Sequence, residues 1–384
     1  MNNISKRNWT SFNSGKLFYH IGRWKLIKEG ESCPPPVLIT VDPSNYCNLA
    51  CEWCNAWEMR KNKKILSRDI LLDFVDFVAD WRAYGYGVEA ICVAGGGEPL
   101  CNPFVGEFLV ALNQKGIKTA TVTNGILIDN FIEELLVNQY VAVSVDAATA
   151  STFNKYKGLN ESSEVFNKII SNIEKLCNAS KKVSCNLGKI SPSNGVNYRM
   201  LLYKDNIGEI VEAAKIAQEI GCNSLHIRPA SIPYDGHMSF SFDKDDIELF
   251  KEQVAQVEEK KRSDFGFYYT LGKFDKYFNK CNDFEHCHAL FMTGTLMPPL
   301  NTNQDTYCFN VCCDRRSDAM MRLVTNERNF SKIKEVWGSD LHWKIYKEIT
   351  DAQISQICPR CTYYEHNKIF ESCIETDTML INFI

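Results

Sequence analysis

The stretch Cys47-Asn-Leu-Ala-Cys51-Glu-Trp-Cys54 follows almost directly on the apolar run Val37-Leu-Ile-Thr-Val41. A short β-rich run of this kind reads as a strand buried on both faces, the type found in parallel sheets. Similar runs recur at 90–94, 120–123, 141–145, 183–187 and 224–227, separated by amphipathic segments. The alternation predicts six β/α units on a parallel sheet, an α/β fold. Crossover helices are expected at 67–81 with Ser67 as N-cap, at 162–177, and at 207–220 with Gly221 as the stop. The three cysteines then lie on the loop after the first strand, at the carboxyl end of the sheet, where such folds bind their ligands.

Composition limits what those thiols are for. The chain has 384 residues, 43 basic and 47 acidic side chains, a net charge of −4 and 17 cysteines. At about 150 residues per domain this is roughly two domains, long enough to fold without covalent staples. The cysteine count is odd, the start lacks an apolar signal segment, and no run reaches about 18 apolar residues. A soluble, cytoplasmic protein is expected. Charge of both signs without a basic block gives no footprint for nucleic acid or a membrane surface.

The cysteines are unevenly placed. Three fall at 47–54 and eight lie beyond residue 280, at 281, 287, 308, 312, 313, 358, 361 and 373. A charged helix at 243–262 leads out of the β/α repeat, and a boundary is expected at 235–280. Beyond it the pattern changes to a hairpin (295–300 and 306–313 around an Asn-Thr-Asn-Gln turn), helices near 331–337 and 341–349, and the knuckle Cys358-Pro-Arg-Cys361. A small domain with a thin core and many thiols is one a metal centre could hold together.

By spacing alone, Cys47, Cys51 and Cys54 could bind zinc, stay idle, or hold an iron-sulfur cubane. Three thiolates with no local fourth ligand suit a cubane whose fourth iron stays open. The CxxxCxxC spacing, with Trp53 just before the last cysteine, resembles the signature of the radical S-adenosylmethionine (SAM) superfamily. A second element, Gly95-Gly-Gly-Glu98-Pro99 after the second strand, resembles that superfamily's Gly-Gly-Glu motif. The resemblance implies a partial (β/α)6 TIM-like barrel, a [4Fe–4S] cluster on Cys47, Cys51 and Cys54, and SAM bound at the open iron. It also implies cleavage of SAM to a 5′-deoxyadenosyl radical. Cofactor contacts are expected from Trp53, Gly95, Gly96, Gly97, Glu98, Asn124, Ser144 and Arg228. The glycines would let backbone approach the ligand, and Glu98 would accept from the methionyl ammonium. Asn124, Ser144 and Arg228 read equally as strand-end caps, and Asp146 as an N-cap or a ligand.

The C-terminal thiols could form a zinc ribbon, a disulfide or a second cluster. They resemble the SPASM/Twitch extension, which implies an auxiliary [4Fe–4S] cluster. Because Cys373 lies twelve residues after Cys361, the shorter Twitch form is favoured, with Cys287, Cys312, Cys358 and Cys361 as ligands. The second ligand is open between two arguments. Asn303, five residues before Cys308, tolerates a turn with positive φ and favours Cys308, whereas Cys-Asp-Arg-Arg after Cys312 favours Cys312. The expected organisation is an extension at 1–35, a radical SAM core at 36–240, a helical connection at 241–280 and the cluster domain at 281–384. Cys281, Cys373 and the scattered Cys33, Cys92, Cys101, Cys177, Cys185 and Cys222 read mainly as small buried hydrophobes.

The resemblance implies a sugar, an aminocyclitol or a ribosomally made peptide as substrate, and because peptide-modifying members commonly carry a leader-binding domain while only 46 residues precede Cys47, a small polar substrate is expected over a peptide. The reaction would be oxidation or epimerisation, with the auxiliary cluster relaying an electron and flavodoxin or ferredoxin as donor. Cys185, on the candidate fifth strand, would be the hydrogen-atom donor of an epimerase, and Lys189, His226 and Arg228 substrate contacts or bases. The alternatives are a maturase of ribosomally made peptides and a non-catalytic zinc or iron-sulfur protein.

Overall fold

The computed structural model describes residues 14–28, 33–188, 195–230, 242–269, 284–301, 303, 305–358 and 361–374. Seven strands run parallel in chain order: β1 Leu38–Val41, β2 Ala90–Val93, β3 Lys118–Thr123, β4 Tyr140–Ser144, β5 Gly195–Leu202, β6 Ser224–Pro229 and β7 Gly266–Tyr269. On the other side of β1 the sheet continues through β8 Thr293–Met297, parallel to β1, and then through the antiparallel pair β9 Tyr307–Asn310 and β10 Arg322–Glu327. This large, mostly parallel sheet is the α/β architecture the sequence pattern predicts.

The helices longer than one turn among the described residues are α1 Ile21–Lys28, α2 Arg68–Asp80, α3 Val105–Gln114, α4 Ala150–Lys157, α5 Val165–Lys182, α6 Ile210–Glu219, α7 Lys244–Lys260, α8 Ser331–Val336, α9 Asp340–Asp351 and α10 Tyr364–Ile374. Their ends follow local chemistry. Ser67 Oγ accepts from the Ile70 amide at the start of α2, and Gly221, at φ +85°, follows the end of α6. Among the described residues no helix is long and apolar enough to cross a membrane.

One candidate strand is corrected. Residues 183–187 are not a strand: α5 continues to Lys182 and a short 3-10 turn covers Asn186–Gly188. The fifth strand is Gly-Val-Asn-Tyr-Arg-Met-Leu-Leu at 195–202, whose Asn197 and Arg199 interrupt the apolar run that marks the other strands. Its alternation is the signature of a strand with two unlike faces.

Those two faces organise the molecule. Ile39, Val41, Ile91, Val93, Val141, Val143, Val196, Tyr198, Leu225 and Ile227 belong to a continuous apolar core shared with Phe74, Leu109, Ile173 and Ala213 of the helices. Burial of each large apolar side chain contributes about 1.5–3 kcal/mol. The opposite face is polar. Ser144 pairs with Arg199, Arg199 with His226 and His226 with Tyr268 across β4 to β7, so these side chains share a face. Tyr140 lies under the Arg199 guanidinium at 5.9 Å from the ring centre, and Cys92 hydrogen-bonds Tyr140 beside that guanidinium.

A buried ion pair ties the end of β1 to the segment after β9. Asp42, fully buried, accepts from Arg316 Nε at 2.5 Å and Nη2 at 3.2 Å. Its partner comes from the Cys312-Cys313-Asp-Arg-Arg316 stretch, so the loop carrying Cys47 and the C-terminal thiols are built on one framework.

Candidate functional site

The three-cysteine loop is pinned from below by α4. The amides of Ala50 and Glu52 donate to the carbonyls of Lys157 and Tyr156, which the end of the helix leaves without partners. Gly158 ends α4 at φ +69°, and a Cβ there would lie 2.7 Å from the Ala50 carbonyl oxygen. Trp53 is buried and stacks on Tyr203 at 3.9 Å between ring centres, with Tyr156 at 4.4 Å. Within the chain it therefore serves as an aromatic anchor that fixes the loop.

Two cations flank the thiols, and neither stands out in the sequence. Lys157 is buried and pairs with Asp146 at 2.5 Å, while also donating to the Ser144 carbonyl at 3.2 Å. Burial works against its charge, but Asp146 and Cys51 more than offset this and raise its pKa. Arg60 donates to the Leu49 carbonyl at 2.5 Å and hydrogen-bonds Cys54. Burial pushes the Cys47 thiol up to about 12 and also raises Cys51, where Lys157 pulls the other way. Asp146 is neither N-cap nor exposed ligand: Thr149 caps α4, and Asp146, at φ +64°, accepts from Lys157 and from the Leu201 amide at 2.7 Å.

The Gly-Gly-Gly-Glu loop packs against this segment. A Cβ on Gly97 would sit 2.3 Å from the Tyr46 carbonyl oxygen, and one on Gly96 2.6 Å from Asn45 Oδ1. Here the absence of side chains lets the two loops touch, and the Glu98 amide donates to the Tyr46 carbonyl at 2.8 Å. The Glu98 carboxylate is buried and accepts from Thr123 Oγ1 at 2.6 Å, the Asn124 amide at 2.7 Å and the Leu100 amide at 3.1 Å. Burial outweighs these bonds and pushes its pKa up to about 7. The folded chain therefore binds this proton more tightly than the unfolded one, and the stability it lends is lost as pH rises from about 4.5 through 7. Between pH 5 and 8 the unfolding free energy of the wild type is expected to fall by about 2.5 kcal/mol relative to Glu98→Gln. Urea titrations of both proteins at the two pH values check this, and parallel pH profiles would reject it.

Asn124 reaches across to the cysteine loop, donating to Asn48 Oδ1 at 2.7 Å with Cys47 Sγ at 4.0 Å. Ser144 and Arg228 lie at the carboxyl ends of β4 and β6, on the cysteine-loop side. His226 is buried on the polar face, with Nε2 3.0 Å from Ser224 Oγ. Burial, then the charges of Arg199 and Arg228, hold its pKa well below 6.5. Cys185 is elsewhere. Its Sγ donates to the Ser180 carbonyl at 3.6 Å in the core near the end of α5, and neighbouring Asn186 bonds to Leu136 and Val137, which precede β4. That is the amino end of the sheet, opposite the cysteine loop, so a hydrogen-donor role for Cys185 has no geometry behind it. Lys189 and Cys281 lie outside the described residues, as does the side chain of Cys373.

In the C-terminal region, Cys287, Cys312, Cys358 and Cys361 line one small, almost wholly apolar cavity. Burial and neighbouring thiols raise Cys287 and Cys361, and burial with Asp314 pushes Cys312 up to about 12. Asn367 Nδ2 donates to Cys287 Sγ at 3.7 Å and Cys361 Sγ at 3.8 Å, and Arg315 Nη1 to Cys358 Sγ at 3.9 Å. The Asn367 amide is oriented by the Ala289 N–H, which donates to its Oδ1 at 2.8 Å. Cys308 and Cys313 are not in this lining. Cys308 is buried against Met59 and Met297, and Cys313 Sγ donates to the Tyr363 hydroxyl at 3.7 Å.

Comparison with known proteins bears on the region that contains the three-cysteine loop. The family model for the Radical SAM superfamily matches residues 41–217, from the last residue of β1 through the three-cysteine loop, the Gly-Glu loop and β2 to β5. Residues 41–217, a little under half of the chain, are thus a Radical SAM domain. An AdoMet-dependent heme synthase of Methanosarcina barkeri is 28% identical over 196 residues, half of this chain and half of that protein. An S-adenosylmethionine-dependent nucleotide dehydratase of Flammeovirga pacifica is 32% identical over 127 residues, 30% of this chain and 40% of that one. The chain thus spans half or less of these curated relatives. Streptococcus suis SuiB, solved bound to S-adenosylmethionine, shares the fold with a TM-score of 0.62 at 15% identity, over 91% of this chain and 78% of its own. So does anSMEcpe with bound AdoMet, with a TM-score of 0.57 at 17% identity, over 87% and 89%.

The cofactors of a radical SAM enzyme are a [4Fe–4S] cluster and SAM, with auxiliary clusters in SPASM-type members. The donor sets here fit them. Three thiols share one loop between two cations that offset thiolate charge. Four more share a cavity into which Asn367 and Arg315 aim N–H donors, the hydrogen bonding that tunes cluster sulfur.

Proposed function

We propose that this radical SAM chain takes a hydrogen atom from a small polar substrate, a sugar or aminocyclitol, and oxidises or epimerises it. Held by Cys47, Cys51 and Cys54, the first cluster would supply with SAM a 5′-deoxyadenosyl radical by reductive cleavage of the sulfonium. Cys287, Cys312, Cys358 and Cys361 would hold an auxiliary [4Fe–4S] group, whose chemistry is to accept or return one electron.

The polar face of the sheet carries this reading. Tyr140, Asn197, Arg199, His226 and Tyr268 form a wall of hydrogen-bonding groups suited to a hydroxyl-rich substrate. Arg199 and Arg228 beside His226 suit a carboxylate or phosphate on the substrate. Burial, together with these charges, keeps the imidazole neutral, so it can hydrogen-bond a carbinol hydroxyl. Asp146 and Lys157 hold the cysteine loop and the end of β4 together, and Glu98 locks the Gly-Glu loop to β3. The two curated relatives, named for heme synthesis and nucleotide dehydration, also handle small molecules.

A peptide substrate is the second reading, favoured by the fold shared with SuiB, which has been solved bound to its precursor peptide SuiA. Anaerobic reconstitution with iron and sulfide, then SAM, a reductant and deuterated substrates, separates the readings. Deuterium passing from a carbinol carbon of a sugar or cyclitol into 5′-deoxyadenosine is the expected result. Transfer only from peptides would establish the second reading. Zinc in place of iron, or no SAM cleavage, would return the chain to the non-catalytic class.

A further inference from the structure

His286, His288 and Glu371 bring together two imidazoles and a carboxylate outside both thiol groups. One ligand atom of each lies within 4.8 Å of the others. The two histidines flank Cys287, whose backbone is near-extended at φ −88° and ψ 76°, and neither lines the thiol cavity into which Cys287 opens. Alternation along the chain thus separates the two donor sets. Glu371 comes from α10 and is already fixed in place: its Oε1 accepts from the amides of Glu285 at 2.8 Å and His286 at 3.0 Å, and lies 3.2 Å from His286 Nδ1.

The second observation is His288. It is only 2% exposed, and neither of its ring nitrogens has a hydrogen-bond partner among the described residues. Trp24 packs edge-on to the ring at 4.6 Å, and Phe370 lies 6.3 Å away. A buried polar atom without a partner costs roughly 1–3 kcal/mol, so an imidazole sealed among aromatic rings with one nitrogen near a histidine and a carboxylate calls for something between them.

We propose that His286, His288 and Glu371 bind a divalent transition cation of the zinc class, fastening the Cys287 segment to α10. Two imidazoles and one carboxylate form a standard set for such ions. Three donors on one tetrahedral ion sit roughly 3.4 Å apart, so closing the present 4.8 Å needs only small rotations of the partly exposed His286 and Glu371. The same helix carries Asn367, which bonds Cys287 and Cys361, so the ion would brace the wall of the thiol cavity from outside. This inference does not rest on the reaction proposed above, nor on iron in the first site.

The test uses the full chain with its iron-sulfur clusters loaded, incubated anaerobically with zinc and then desalted. Zinc and iron are counted in the same sample, and zinc X-ray absorption reads the shell. The expected result is one zinc per chain with only nitrogen and oxygen neighbours, at about 2.0–2.2 Å. Retention should weaken at least roughly tenfold in Glu371→Gln and in His286→Ala with iron unchanged. Both replaced residues are partly exposed, so these variants avoid the folding cost of altering His288. A sulfur shell at about 2.3 Å, retention unchanged in both variants, or no retained zinc would overturn the proposal.

Discussion

Cys51→Ala is expected to abolish 5′-deoxyadenosine formation and to lower the iron of the reconstituted chain from about eight to about four atoms, two cubanes to one. A cubane that must leave one iron open for SAM has only three protein ligands, so losing one leaves two, too few to hold it against solvent and reductant. The loop itself should survive. Its shape is set by the Ala50 and Glu52 amides on the end of α4, by Trp53 stacked on Tyr203, and by Arg60 on the Leu49 carbonyl. None of these uses the Cys51 sulfur. Thermal unfolding of the metal-free variant should therefore stay close to that of the metal-free wild type, so that lost iron reads as a lost ligand. Cys101→Ala is the control. That thiol, close to Glu98 but outside the motif, should keep both iron and cleavage. Wild-type cleavage in Cys51→Ala would remove the motif from the chemistry altogether.

What the sequence disclosed depended on whether a feature is local. The strands at 38–41, 90–93, 118–123, 140–144 and 224–229 announce themselves because each is a short apolar run between helices. The strand at 195–202 does not, because one of its faces is the polar wall, and the polar residues that make it useful break the pattern. The same misreading carried Cys185 onto a strand it does not occupy. Electrostatic supports were invisible for a different reason. The Asp42–Arg316 pair spans 274 residues, and nothing local marks Lys157 until the fold places it beside Asp146 and Cys51. Gly96 and Gly97 were legible as necessary, though what approaches them is the Asn45 side chain at Gly96 and the Asn45–Tyr46 backbone at Gly97.

Cys312→Ala is expected to cost about four irons per chain, whereas Cys308→Ala and Cys313→Ala should keep about eight. Sequence arguments divided between Cys308 and Cys312, because a turn residue five positions upstream favoured one and the Cys-Asp-Arg-Arg run the other. Geometry supports Cys312. Cys308 lies within β9, paired with Met297 of β8, and its side chain is buried against Met59 and Met297. Cys312 follows the strand, where the chain has left the ladder and can turn into the cavity shared with Cys287, Cys358 and Cys361. Asp314 then closes the arrangement by accepting from the Thr362 amide at 2.6 Å and its hydroxyl at 3.0 Å, holding the Cys361 segment beside the Cys312 segment. Cys308→Ala removes a buried sulfur and its hydrogen bonds with the Asn326 amide and Oδ1, and should destabilise the chain by about 1–2 kcal/mol while leaving the iron in place. Iron counts on the three variants, with electron paramagnetic resonance of the reduced proteins, decide the matter. A full complement in Cys312→Ala with a deficit in Cys308→Ala would move the fourth ligand into the strand and require β9 to leave its ladder when the cluster binds.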